Sequence, residues 1–82
     1  MITLDFAADS RTIAPGIVLV PLHNGLSRVT RPSGEVLGYI ETFEASDGAR
    51  YRAKRISPRL RRFITIGEFW RLDEAVDCFM MG

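Results

Sequence analysis

Eighty-two residues hold one hydrophobic core and leave no room for a second, so a single domain spanning residues 1–82 is expected, without a deep catalytic cleft. Hydrophobic residues at 46% and charged residues at 26% fit a folded chain, and one cysteine (Cys78) with one histidine (His23) offers neither an internal disulfide nor a zinc set. A net charge of +1 does not by itself announce a polyanion partner, so the placement of the charges has to decide.

In chain order, residues 1–16 read as a loosely attached arm: Ile2 to Phe6 has strand character, and the arm closes on the breaker pair Pro15-Gly16. Met1 to Phe6 carries neither the basic flank nor the long apolar stretch of a signal peptide, and no apolar run nears the ~20 residues that span a bilayer. A cytoplasmic protein without a membrane partner is the expectation. Ile17 to Leu22 is a short apolar run, expected at a sheet edge because Pro21 cannot donate a ladder hydrogen bond. His23 stands beside the Asn24-Gly25 turn with no nucleophile partner.

Leu26 to Arg31 and Glu35 to Phe43 form the clearest hairpin, separated by Pro32-Ser33-Gly34. Ser46-Asp47-Gly48 then turns into Arg50 to Ile56, where Arg50, Arg52 and Lys54 alternate with Tyr51 and Ala53 at the strand period of two. After a loop at Ser57-Pro58, Arg62 to Phe69 is the last strand, with Gly67 at its bend or end. Asp73 is expected to cap a helix to Met80, with Leu72, Ala75, Val76, Phe79 and Met80 as its apolar stripe. About nine residues cannot hold a helix in water, so the stripe must dock on the strands. The fold class is therefore α+β: an antiparallel sheet of three to five strands packed against one short C-terminal helix.

Seven of the eleven cations (Arg50, Arg52, Lys54, Arg55, Arg59, Arg61 and Arg62) fall within thirteen residues that contain no Asp or Glu. Arg50, Arg52 and Lys54 share one side of a strand at intervals of roughly 7 Å, a spacing suited to successive phosphates. The alternative is a solvent-facing strand whose cations pair across to Glu41 and Glu44. Arg55, Arg59, Arg61 and Arg62 carry the positive surface into a loop, where internal pairing is harder to arrange. Tyr51, Phe63, Phe69 and Trp70 are expected mostly in the core, and only Tyr39 stays open as a stacking surface. Cys78, beside Asp77 and Phe79, reads as a structural thiol. Glu35, Glu41, Glu44 and Asp47 sit on strands or turns with no enclosing cleft, so no enzyme, cofactor, metal or small-molecule substrate is expected.

Arg61-Arg62-Phe63-Ile64-Thr65-Ile66-Gly67-Glu68-Phe69-Trp70-Arg71-Leu72-Asp73-Glu74-Ala75-Val76 resembles the last strand and helix of AP2-type and integrase arm-type DNA-binding domains. The likeness lies in Ile66-Gly67, an aromatic two residues on (Phe69), and Glu74-Ala75 opening the helix. It implies three antiparallel strands on one helix, with the exposed sheet face entering the major groove and Arg50, Arg52 and Lys54 as contacts. The chain departs from that pattern where Phe63 and Thr65 replace the usual exposed Arg or Trp, and where Leu26 to Arg31 adds a strand. The expected function is a small non-enzymatic nucleic-acid-binding domain, for DNA rather than RNA. Its rival is a protein-interaction module that pairs with a partner or a second copy through the edge at Ile17 to Leu22.

Overall fold

Among the described residues, six strands follow one another across a single antiparallel sheet in the order in which they occur in the chain: β1 (Arg11–Ala14), β2 (Ile17–His23), β3 (Leu26–Thr30), β4 (Val36–Ala45), β5 (Gly48–Ser57) and β6 (Arg62–Phe69). Among the described residues one helix, α1 (Leu72–Met81), follows β6 and packs on β4, β5 and β6. The structure is a computed structural model that describes residues 10–81. The predicted strand at Ile2 to Phe6 lies outside the described residues.

Short turns explain the meander. At Asn24 (φ 46°) and Gly25 (φ 79°) both central residues have positive φ, the backbone that matches the twist of two flanking strands. The Gly25 carbonyl accepts a hydrogen bond from the Thr42 N–H at 2.9 Å, and a Cβ on Gly25 would stand 2.7 Å from the Thr42 carbonyl oxygen. Gly25→Ala is therefore expected to lose about 1–2 kcal/mol or more of stability, read as a lower urea midpoint with an unchanged slope.

The sheet is one strand wider than the three to five expected, and the reason is Pro15-Gly16. These residues form a two-residue hairpin turn, with Gly16 at φ 77°, and not the end of an arm: Ala14 pairs with Ile17 and Arg11 with Leu19. Within the predicted arm, Arg11–Ala14 is thus an edge strand of the sheet. β2 is correspondingly not an edge, since it lies between β1 and β3. Pro21 is tolerated because the β1 pairing reaches only to Leu19, which leaves that side of Pro21 without a strand partner among the described residues.

The core lies between the sheet and α1. Leu19, Val29 and Gly38 form one cross-strand row, and Ile40, Ala53 and Gly67 another. Ile17, Leu19, Val29, Ile40 and Ala53 are buried with Ala75, Val76 and Phe79 of the helix. The small residues under α1 let it approach closely, and the Phe79 ring fills the space over Gly38, where any Cβ would overlap it. Met80, assigned to the stripe, is exposed.

The helix also begins earlier than expected. The Ala75 N–H donates to the Arg71 carbonyl at 3.2 Å, which puts Arg71 in the capping position and Asp73 inside the first turn. The Asp73 carboxylate accepts from the Arg71 guanidinium at 3.1 and 3.2 Å and from the Glu74 N–H at 2.9 Å. Hydrogen bonding from Arg71 foremost, with burial opposing and the Arg71 charge and backbone hydrogen bonds assisting, holds the Asp73 carboxyl below its ordinary value. No helix among the described residues is long and apolar enough to cross a membrane.

Candidate nucleic-acid interface

Alternation along β5 sends Tyr51 and Ala53 toward the helix and Arg50, Arg52 and Lys54 to the open face of the sheet. The three predicted cations are thus brought together on one face, and each has an acidic neighbour. Arg52 Nη1 lies 3.0 Å from Glu41 Oε1 and its Nε 2.9 Å from Glu68 Oε2, while Lys54 Nζ lies 3.0 Å from the same Glu41 oxygen. Arg50 Nη1 is 3.8 Å from Asp47, and its guanidinium stacks 4.1 Å above the Trp70 ring. Of the two carboxylates expected to pair across, Glu41 does so. Glu44 stands opposite Ala49 instead.

Glu68 was not foreseen, because its position depends on a register shift. The ladder runs Ala53 to Gly67 but Lys54 to Thr65, so Ile66 is an extra residue in β6. Without that bulge Gly67 would face Arg52. With it, Glu68 does. Gly67, read only as a bend, was the available signal.

The Glu41 carboxyl is held below its ordinary 4.5, chiefly by the hydrogen bond from Lys54, with burial opposing and the charges of Lys54 and Arg52 assisting. The Arg52 guanidinium is correspondingly raised, first through its bond to Glu68. A depressed carboxylate stabilises the fold above its unfolded pKa and loses that contribution as pH falls through its folded pKa. Thermal melts of the wild type are expected to decline below about pH 4.5, and Glu41→Gln is expected to shrink that decline.

The remaining four predicted residues lie elsewhere. Arg55 points to the helix side, its guanidinium 5.7 Å from the Phe79 ring centre. Arg59 and Arg61 occupy the β5–β6 turn and Arg62 begins β6. Arg55, Arg59, Arg61 and Arg62 are all exposed, and none has a carboxylate within 4 Å among the described residues. Ser57 fixes the turn: its carbonyl accepts from the Arg61 N–H at 2.7 Å and its hydroxyl from the Leu60 N–H at 3.2 Å. Arg61 adopts φ 55°, an uncommon backbone for a side-chain-bearing residue.

The aromatic residues divide differently from expectation. Tyr51 and Phe69 pack against the core, as expected, but Phe63 and Trp70 are exposed. Phe63 lies on the open face with Ile56, its cross-strand partner, because the extra residue Ile66 breaks the alternation that would have put it on the side of Gly67 and Phe69. Its ring meets Tyr39 edge to face at 5.2 Å and 80°, with Lys54 Nζ 5.3 Å from its centre. Tyr39, the one aromatic left open, shares this face with Arg28 at 6.0 Å. The open face near the turn therefore interleaves Arg28, Tyr39, Lys54 and Phe63, the turn adds Arg59 and Arg61, and Arg62 stands beside it at the start of β6, opposite Ser57.

Cys78 is half-buried, and burial foremost, then the Asp77 charge, pushes its thiol up against the opposing charge of Arg55. His23 is exposed. No cluster of three His, Cys, Asp or Glu side chains suited to a metal stands among the described residues. Comparison with family models, curated proteins and solved structures returns no match to this chain.

Proposed function

We propose that this domain binds nucleic acid, with Arg59 and Arg61 of the turn and Arg62 at the start of β6 on phosphates and the adjoining open sheet face against the nucleotides. The observation that carries the reading is a separation of charges. On the strand, Arg52 and Lys54 are held by Glu41 and Glu68, whereas the cations at and beside the turn are exposed and have no acidic neighbour among the described residues. Unpaired guanidiniums are the groups that displace counterions from a phosphate chain. Three strands on a helix, as the AP2-type resemblance implies, are present in β4 to β6 with α1, inside a wider sheet. The central test is a gel shift of labelled DNA at rising salt. Retarded complexes that dissolve as salt increases are expected, and no complex at low salt would remove the reading.

A second reading rests on β6. It is the outer strand at one margin of the sheet, eight residues long, with exposed Ile64 and Ile66. Such an edge invites another chain. It replaces the expected edge at Ile17 to Leu22. Concentration-dependent mass by light scattering, in the absence of DNA, would favour it.

A further inference from the structure

We infer that the form of nucleic acid this face accepts is single-stranded, with a base stacked on Phe63; the inference rests on the nucleic-acid reading above. Two observations carry it. The first is size. Arg28, Tyr39, Lys54 and Thr65 form a row across β3, β4, β5 and β6. Three strand spacings of about 4.8 Å separate its outer members by roughly 14 Å, before any side chain is added. β2 extends the same surface with Val20 beside Arg28. The major groove of duplex DNA is about 12 Å wide and takes a helix or a two-stranded ribbon, not a sheet of this breadth. A single strand lies across such a sheet without that limit.

The second observation is the chemistry of the face beside the turn. Phe63 is 42% exposed and Ile56, opposite it, 50%. Tyr39 meets the Phe63 ring in a T-shaped contact with centroids 5.2 Å apart. A groove lined by Val36, Leu37, Gly38, Tyr39, Arg55 and Ile56 opens next to them. In a duplex the faces of the bases are covered by their neighbours, so an exposed ring finds only edges and backbone. Unstacked bases present their faces, and an aromatic ring flanked by cations is the surface that takes them. Phe63 supplies the ring, Lys54 lies 5.3 Å from its centre, Arg28 borders the neighbouring Tyr39, and Arg59, Arg61 and Arg62 meet the phosphates as the strand leaves the sheet.

The test is fluorescence anisotropy with labelled dT12 and with a labelled 12-base-pair duplex at the same low salt, using the full chain and the variants Phe63→Ala, Phe63→Leu and Ile64→Ala. The wild type is expected to hold dT12 at least fivefold tighter than the duplex. Phe63→Ala and Phe63→Leu are each expected to weaken dT12 binding about fivefold or more. Ile64→Ala changes a neighbour directed to the helix side and is expected to leave dT12 affinity within twofold of wild type. Phe63→Leu keeps an apolar side chain against Tyr39, so a loss there, with an unchanged circular dichroism spectrum, reports stacking and not unfolding. Duplex bound as tightly as dT12 overturns the single-strand inference and leaves the nucleic-acid reading standing. Neither probe bound at low salt overturns both. Preference for dT12 with no loss in either Phe63 variant overturns the role given to the ring.

Discussion

Phe79→Ala is expected to cost about 3–5 kcal/mol, the largest effect of any single truncation in this domain. Phe79 is 6% exposed, and its ring fills the space above Gly38 between the sheet and the helix. A fold of this size has a total stability of roughly 4–12 kcal/mol, at 0.05–0.15 kcal/mol per residue, so the loss is a large share of the whole. The helix depends on it doubly, because α1 has ten residues and cannot persist once its docking surface is hollowed. Met80, the next residue and 47% exposed, is the control: Met80→Ala is expected to stay within about 0.5 kcal/mol of wild type. Urea unfolding followed by circular dichroism reads both.

The same site predicts a coupling. Gly38→Ala places a methyl group into the Phe79 ring in the wild type, and into vacated space once Phe79 is alanine. Gly38→Ala is therefore expected to destabilise the wild type clearly and the Phe79→Ala background much less. A double-mutant cycle should return a non-additive term of about 1 kcal/mol or more. Additive effects would mean that the ring does not rest on Gly38.

What could be read from the chain beforehand follows from the range over which each signal acts. The strands β3 to β6 and the helix announce themselves by local periodicity and by turn residues, and their predicted bounds fall within one to two residues of the observed ones at most ends. Pro15-Gly16 was equally visible, but a breaker pair looks the same whether it ends an arm or turns a hairpin. Only the pairing of Ala14 with Ile17 distinguishes the two. The strand cations were legible as a row because alternation is local. Their neutralisation was legible only in part: Glu41 follows from hairpin register, whereas Glu68 reaches Arg52 through the bulge at Ile66, which no local pattern specifies. The exposed ring of Phe63 was missed for a related reason. Composition says that a small domain needs its aromatic residues inside, and strict alternation would put Phe63 on the same face as Phe69, but the extra Ile66 between Thr65 and Gly67 sends Phe69 to the helix side and Phe63 to the open face.

The division of the basic block into a paired strand and an unpaired turn predicts that two sets of mutations will separate. Reversing Arg59 and Arg62 together removes two candidate phosphate contacts at exposed positions with no carboxylate partner among the described residues, so the fold should be unaffected. On a single strand each contact carries about 0.7 in the slope of log affinity against log salt, and at 50 mM salt that corresponds to roughly 0.9 log units of affinity. Arg59→Glu with Arg62→Glu is therefore expected to weaken dT12 binding by about 50-fold or more at 50 mM salt and to flatten the slope by about 1.4. Arg52→Glu acts on a different quantity. It sets a third carboxylate beside Glu41 and Glu68, which now balance the Arg52 guanidinium at 3.0 and 2.9 Å, and the expected result is a lower melting temperature. At a temperature where the Arg52→Glu variant is still folded, its salt slope should match that of the wild type, because a guanidinium already held by two carboxylates releases few counterions. The deciding measurement is the slope for each folded variant. If Arg52→Glu flattens it as much as the turn variant does, the strand cations share the phosphates with the turn and the division fails.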